Sequence, residues 1–177
     1  MDKESLAVEI RQEEPRDFPT VYDLNIKAFK RKDEARLVDR LRLSNAFVHG
    51  LSLVATVENK VVGHILFSRI SIEGENGAHE SLALAPMAVI PGMQRKGIGK
   101  QLIRHGLDKA KEFGFKSVMV LGLSDYYTRH GFVPASRWRI KPPFNAPENA
   151  FMGIELVEGA LANVSGIIRF SREFGEI

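Results

Sequence analysis

Residues 87–100 read MAVIPGMQRKGIGK, and their order is the most informative feature of the sequence. It begins in an apolar run that Pro91 and Gly92 interrupt, as at the end of a buried strand. From Gly97 to about Gly114, apolar residues recur at steps of three and four, which is the spacing of a helix. A strand, a turn and a helix therefore follow one another, and the loop between them leads directly into the N-terminus of the helix.

This loop has the composition of a phosphate-binding site. A helix N-terminus presents unpaired N–H groups and about half a positive charge. Two glycines let the backbone approach an anion closely, and Arg95, Lys96 and Lys100 add full positive charges. A solvated helix face is the alternative for the basic residues Arg95, Lys96, Lys100 and Arg104. It applies most to Lys100 and Arg104, because the flanking glycines favour a phosphate role for Arg95 and Lys96. We name residues 94–100 the cradle and predict that it holds a phosphate group.

Two common nucleotide motifs are excluded at the cradle. Gly92 and Gly97 have the spacing of a Walker P-loop, but Ile98 stands where that motif requires lysine. The dinucleotide motif requires a third glycine three residues after Gly99, and Leu102 occupies that position. The preceding elements also form a hairpin rather than a βαβ unit.

Periodicity predicts the remaining elements. The predicted strands cover Val8–Arg11, 51–57, 61–72, Ser81–Ile90, Val118–Leu123, Ala150–Val157 and Val164–Phe170. The predicted helices cover 18–28, with Asp17 as N-cap, Asp33–Leu43, and 97–114 with Phe113 on its buried stripe. Residues 124–130 are predicted to form a short loop or helical turn. No linker interrupts the series, so we expect one α+β domain over residues 1–177.

Pro86 lies inside the apolar strand that leads to the cradle. Proline has no N–H, so one hydrogen bond of the ladder is lost at this position. We expect a bulge or a splayed neighbouring strand here. An edge strand is the alternative, and the apolar residues on both sides of Pro86 argue against it.

Composition excludes several classes of protein. The 177 residues suffice for one hydrophobic core, and the absence of cysteine removes thiolate chemistry. A net charge of +3 is too small to indicate a nucleic-acid partner. No apolar run is long enough to cross a membrane, and the acidic start does not resemble a signal peptide. The histidines are scattered, so we expect no metal site. The missing membrane segment and signal peptide lead us to expect a cytoplasmic protein without a membrane partner. We expect a monomer or a homodimer.

The motif Gln94-x-x-Gly97-x-Gly99 resembles the pyrophosphate-binding motif of the GNAT superfamily of N-acetyltransferases, which bind acetyl-CoA. The segment Tyr127 to Phe132 resembles the family's Y-x-x-x-G-F signature, and the opening strand and helix also resemble the family's. The resemblance covers about residues 8–135. A narrower resemblance to the YhbS-like subgroup of predicted N-acetyltransferases rests on residues 62–65, 84–89, 126–127 and 151–152.

The resemblance implies a mixed, strongly curved β-sheet with helices on both faces. It also implies that acetyl-CoA, or the product CoA, is held by two groups of residues. These are the strand residues Met87, Ala88 and Val89, through their backbone, and the cradle residues Gln94, Arg95, Lys96, Gly97, Ile98, Gly99 and Lys100.

Tyr127 is the candidate general acid that the resemblance places near the sulfur of CoA. A phenol has a pKa near 10, so at neutral pH it is protonated and can donate to a departing thiolate. Packing beside Phe132 is the alternative role. Tyr126 is the adjacent competitor, and we expect it to serve in packing.

The general base is left open by the sequence. His64 shares a strand face with apolar residues, which favours a hydrogen-bonded histidine in the core. Further candidates are Glu80, Asp125, His130 and Glu148. Ordered water is another route for the proton.

We therefore expect an acetyl-CoA-dependent N-acetyltransferase that acts on a small-molecule or protein amine. Without cysteine or a visible serine triad, the acetyl group is expected to pass directly to the amine in a ternary complex. The alternative is a non-catalytic sensor module that binds acyl-CoA without turnover.

Overall fold

The computed structural model describes residues 6–176, which form a mixed β-sheet with four α-helices. The strands are β1 Val8–Gln12, β2 Phe47–Val57, β3 Lys60–Gly74, β4 Gly77–Val89, β5 Ser117–Leu121, β6 Val133–Pro134, β7 Ile140–Lys141, β8 Phe151–Glu155 and β9 Gly166–Arg169. The helices are α1 Phe18–Phe29, α2 Asp33–Arg42, α3 Ile98–Glu112 and α4 Ser124–Thr128. The predicted α+β class is confirmed.

The strand order along the main path is β1-β2-β3-β4-β5-β8-β6. Neighbours on this path pair antiparallel except for β4 and β5, which are parallel. The parallel pairing involves only Leu82 and Ala83 of β4. Beyond Ala83 the two strands separate, and a gap opens in the middle of the sheet.

Helices cover both faces of the sheet, as predicted. Leu53 and Ile65 pack in one core with residues of α3, whereas their neighbours Val54 and Leu66 pack in another core with residues of α2. Successive side chains of a strand point to opposite faces, which explains this division.

A bulge at Pro86 shapes the strand edge beside the gap. Phe67 pairs with Leu84 and Ile65 pairs with Met87, so β4 has one residue more than β3 over this interval. The Ala85–Pro86 peptide bond is cis. Because β4 lies between β3 and β5, the edge-strand alternative is wrong and the predicted bulge is confirmed.

Asp17 stands at the N-cap of α1, as predicted, but its side chain makes no cap hydrogen bond; it accepts instead from Arg11, at 2.7 and 2.9 Å, and from the N–H of Glu14. The prediction for Phe113 is wrong. Phe113 was expected on the buried stripe of α3, yet it is 45% exposed, because α3 ends at Glu112 and the helical spacing ends there with it.

Candidate active site

A cleft of about 1260 Å³ occupies the gap between β4 and β5. One wall is the segment 83–87 of β4, and the opposite wall is the segment 119–123, together with Tyr126 and Tyr127 of α4. The lining beyond the gap comes from other elements: Phe29, Arg31, Glu34, Leu37, Glu73, Pro143, Phe144, Phe151, Ile167–Phe170, Phe174 and Gly175.

The cradle adjoins this cleft through a second cavity of about 330 Å³. Phe29, Met87 and Tyr126 line both cavities. Nine of the ten predicted cofactor residues line the smaller one: Met87, Ala88, Val89, Gln94, Arg95, Gly97, Ile98, Gly99 and Lys100. Lys96 is the exception; its side chain is exposed on the same loop, outside the cavity.

The backbone of the cradle is held open at Gly97. Arg95 and Gly97 both have left-handed conformations, with φ of 63° and 82°. The Gln94 side chain donates a 3.0 Å hydrogen bond to the carbonyl of Val89, which ties the loop to the end of β4. No atom lies within 4 Å of the position that a Cβ on Gly97 would occupy. Gly97 thus leaves room in front of the N–H groups that begin α3.

Gly99 lines the smaller cavity and also lies against Tyr126. The Tyr126 hydroxyl lies 2.6 Å from the position that a Cβ on Gly99 would take, closer than a real Cβ contact allows. Burial raises the pKa of this hydroxyl. Tyr126 therefore packs against the start of α3, and its hydroxyl lies at the junction of the two cavities.

Tyr127 lines the larger cleft and is held by its neighbours. Its ring meets the Phe132 ring edge-on, with centroids 5.5 Å apart, and packs so closely on Gly122 that a Cβ there would lie 2.5 Å from it. Burial raises the pKa of the Tyr127 hydroxyl to about 12, so the hydroxyl stays protonated at neutral pH. Tyr127 therefore packs against its neighbours and also lines the cleft.

His64 is a core histidine, as predicted, and lies outside both cavities. It is 0% exposed, and its Nε2 lies 2.9 Å from Ser52 Oγ and 3.6 Å from Glu13 Oε2. Glu13 in turn accepts a 2.7 Å hydrogen bond from Arg42. Burial lowers the pKa of His64 to about 4; Glu13 raises that pKa and Arg42 lowers it further.

The buried His64 makes folding sensitive to acid. The unfolded chain protonates this histidine below about pH 6.5, whereas the folded chain keeps it neutral to about pH 4, so stability falls as the pH drops between these values. From pH 7 to pH 5 this linkage removes about 2 kcal/mol of the free energy of unfolding. Urea unfolding at both pH values should show that His64→Gln loses correspondingly less stability than wild type. An equal loss in the two proteins would contradict this linkage.

The other candidate bases also lie outside the two cavities. Glu80 is exposed and lies 3.7 Å from Arg69, and Asp125, His130 and Glu148 line neither cavity. The His130 ring packs edge-on against Tyr126, with centroids 5.0 Å apart.

Two carboxylates that the sequence analysis did not single out do line the larger cleft. Glu34 accepts hydrogen bonds from Arg31, and Glu73 lies 3.4 Å from Arg169. Nothing in the local pattern marks either residue, because only the folding of α2 and of the end of β3 brings them to the cleft.

Residues 9–132 match the acetyltransferase (GNAT) family model. The chain belongs to this family. Among curated relatives it is similar to two uncharacterized N-acetyltransferases of Escherichia coli. It is 40% identical to YjhQ over 75% of this chain and 74% of that protein, and 34% identical to YhbS over 93% and 97%.

Two solved structures extend the similarity to the whole fold. The crystal structure of Escherichia coli YhbS in complex with CoA matches with a TM-score of 0.90 and 31% identity, over 99% of this chain and 96% of that one. A GNAT family acetyltransferase from Brucella melitensis in complex with acetyl-CoA matches with a TM-score of 0.76 and 29% identity, over 95% and 98%. The predicted GNAT fold and the resemblance to YhbS are confirmed.

Membership makes the chain an acyltransferase of a family whose members use acetyl-CoA and an amine acceptor. Across residues 6–176, no helix is long and apolar enough to cross a membrane. Within the same range, no three metal-binding side chains come together in a group that could hold an ion.

Proposed function

We propose that this protein is an acetyl-CoA-dependent N-acetyltransferase that transfers the acetyl group directly to a bound amine in a ternary complex. One observation carries the proposal: the cradle opens through the smaller cavity into the cleft between β4 and β5. A contiguous surface can therefore hold the phosphates of one CoA at α3 and its thioester beside β4.

The cradle fits the pyrophosphate of CoA. The open space at Gly97 admits an anion to the N–H groups at the start of α3. Arg95 and Lys100 line the same cavity and supply positive charge. The two structural relatives bound to CoA or acetyl-CoA support this assignment.

The free edge of β4 fits the pantetheine arm and the acyl carbonyl. Because β5 pairs with β4 only at Leu82 and Ala83, the peptide groups around Met87, Ala88 and Val89 that face away from β3 lack a partner in β5. Backbone N–H groups fixed at this edge would stabilise the negative charge that develops on the acyl oxygen.

Tyr127 donates the proton that the leaving thiolate takes up. A pKa of about 12 keeps its hydroxyl protonated but makes it a weaker acid than a free phenol. A thiolate released beside this buried hydroxyl would have its own pKa raised by the same desolvation, so the transfer is less unfavourable than the solution values indicate.

Water in the cleft removes the proton of the attacking amine. Glu34 and Glu73 are the carboxylates that line the cleft among the described residues, and each is paired with an arginine.

The proposed acceptor is a small-molecule or protein amine. The proposed enzyme is one domain of residues 1–177, acts as a monomer or homodimer, and lies in the cytoplasm. The relatives' N-acetyltransferase names do not favour the non-catalytic sensor.

Initial rates with both substrates varied test direct transfer. Double-reciprocal plots should give intersecting lines, and mass spectrometry of the protein after incubation with acetyl-CoA alone should detect no added acetyl group. Parallel lines together with an acetylated protein would contradict transfer in a ternary complex.

A further inference from the structure

The larger cleft is lined by apolar side chains from separate elements. Phe29 and Leu37 come from α1 and α2, Phe144 comes from the loop before β8, and Phe170 and Phe174 follow β9. We name these five residues the apolar wall. Phe29 also lines the smaller cavity, whereas the other four line only the larger one. An acceptor whose amine reaches the thioester at the edge of β4 near Met87 therefore rests against them.

The apolar wall presents aromatic surface to the cleft. The Phe144 and Phe170 rings are nearly parallel, with centroids 6.1 Å apart and an interplanar angle of 16°, and Phe170 and Phe174 are 5.2 Å apart. Phe144 is 46% exposed although it belongs to this cluster. A ligand that covers this surface removes apolar area from water, which favours its binding.

The charges that line the cleft are paired. Arg31 binds Glu34, and Arg169 lies 3.4 Å from Glu73. These four are the charged residues among the described residues that line the cleft, so the lining of the cleft carries no net charge. A polyamine would need unpaired carboxylates, and an anionic acceptor would need unpaired arginines.

We propose that the acceptor is a primary amine carried on an aromatic or branched apolar body. This rests on the proposed function. The body packs against the apolar wall, and the amine reaches the thioester beside Met87 and Tyr127. Its nitrogen bonds to the acetyl carbon as the carbon–sulfur bond breaks; one proton leaves the nitrogen for water, and the thiolate receives one proton. A cleft of about 1260 Å³ is larger than typical pockets of roughly 300–1,000 Å³, so it has room for both substrates.

Comparison of acceptors tests this proposal. At saturating acetyl-CoA, kcat/KM for 2-phenylethylamine should exceed that for spermidine and for a lysine-containing peptide by about tenfold or more, the range for burying one apolar side chain. A preference for spermidine or the peptide would overturn the proposed acceptor class while leaving the acetyltransferase function intact.

Phe144→Ala tests the apolar wall itself. It should raise the KM for 2-phenylethylamine about tenfold and leave kcat and the affinity for CoA unchanged. Phe113→Ala is the matched control, because Phe113 is 45% exposed and lies at the opposite end of α3 from the cradle. Phe170→Ala should act like Phe144→Ala. If both variants of the wall keep the wild-type KM, the proposal is wrong.

Equilibrium binding separates this proposal from the proposed function. If no amine is acetylated, calorimetry measures binding of 2-phenylethylamine to the complex with CoA. Binding that weakens in Phe144→Ala but not in Phe113→Ala supports the apolar acceptor site, although acetyl transfer has failed. Absence of binding overturns the acceptor site.

Discussion

Replacing Tyr127 with phenylalanine should lower kcat by about 100-fold or more, which is the lower end of a general-acid contribution. The substitution keeps the ring that packs on Phe132 and Gly122 and removes only the hydroxyl. Thermal stability should therefore change little. The affinity for acetyl-CoA should also hold, because the cradle lies outside the contacts of Tyr127. Steady-state rates, together with calorimetry of CoA binding, measure both effects.

Tyr126→Phe is the matched control for this experiment. It removes a hydroxyl from the neighbouring residue, at the junction of the two cavities, and should retain nearly the wild-type rate. If the two variants turn over alike, Tyr127 serves only in packing and another group protonates the thiolate. If Tyr126→Phe is the inactive variant, the acid is Tyr126, one residue earlier than proposed.

Gly97→Val should weaken CoA binding by at least tenfold, or about 1.4 kcal/mol. A branched side chain would fill the open space that the cradle leaves for the pyrophosphate. Arg95→Ala should weaken binding less, and its effect should shrink as salt is added, because added ions screen an exposed charge. Calorimetry at low and high salt measures both variants.

Gly159→Val controls for backbone strain. Gly159 has a φ of 78°, close to the 82° of Gly97, and also has no atom near the position of a Cβ. It lies in an exposed loop between β8 and β9, and neither cavity includes it. Both substitutions should therefore cost similar stability, whereas only Gly97→Val should weaken CoA binding. Unchanged CoA affinity in a folded Gly97→Val variant would show that the cradle does not bind the pyrophosphate.

Strong local periodicity explains which parts of the fold could be predicted. The alternation over 51–57, the apolar run before Pro91 and the helical spacing after Gly97 each extend over many residues, and β2, β4 and α3 all form there. β6 and β7 have two residues each, which is too short for any period to appear. Phe113 was misplaced because a spacing cannot indicate the residue at which a helix ends.

The site residues that the sequence analysis missed are brought together by contacts between distant parts of the chain. The cradle is one continuous segment, so its residues could be found from their order alone. Gly99 belongs to this segment, but its contact with Tyr126, which lies 27 residues further along the chain, could not be found in this way. Likewise, Glu34, Glu73 and the apolar wall meet only because α2, β3 and β9 converge on one cleft.

Transfer of a labelled acetyl group measures directly whether the protein is an N-acetyltransferase. The protein is incubated with acetyl-CoA labelled in the acetyl group and with 2-phenylethylamine, spermidine and a lysine-containing peptide in separate reactions. Free CoA and labelled amine are then measured in the same samples. We predict one labelled N-acetyl product for each CoA released and no label on the protein. Tight binding of CoA without labelled amine in any reaction would contradict the assignment as an N-acetyltransferase.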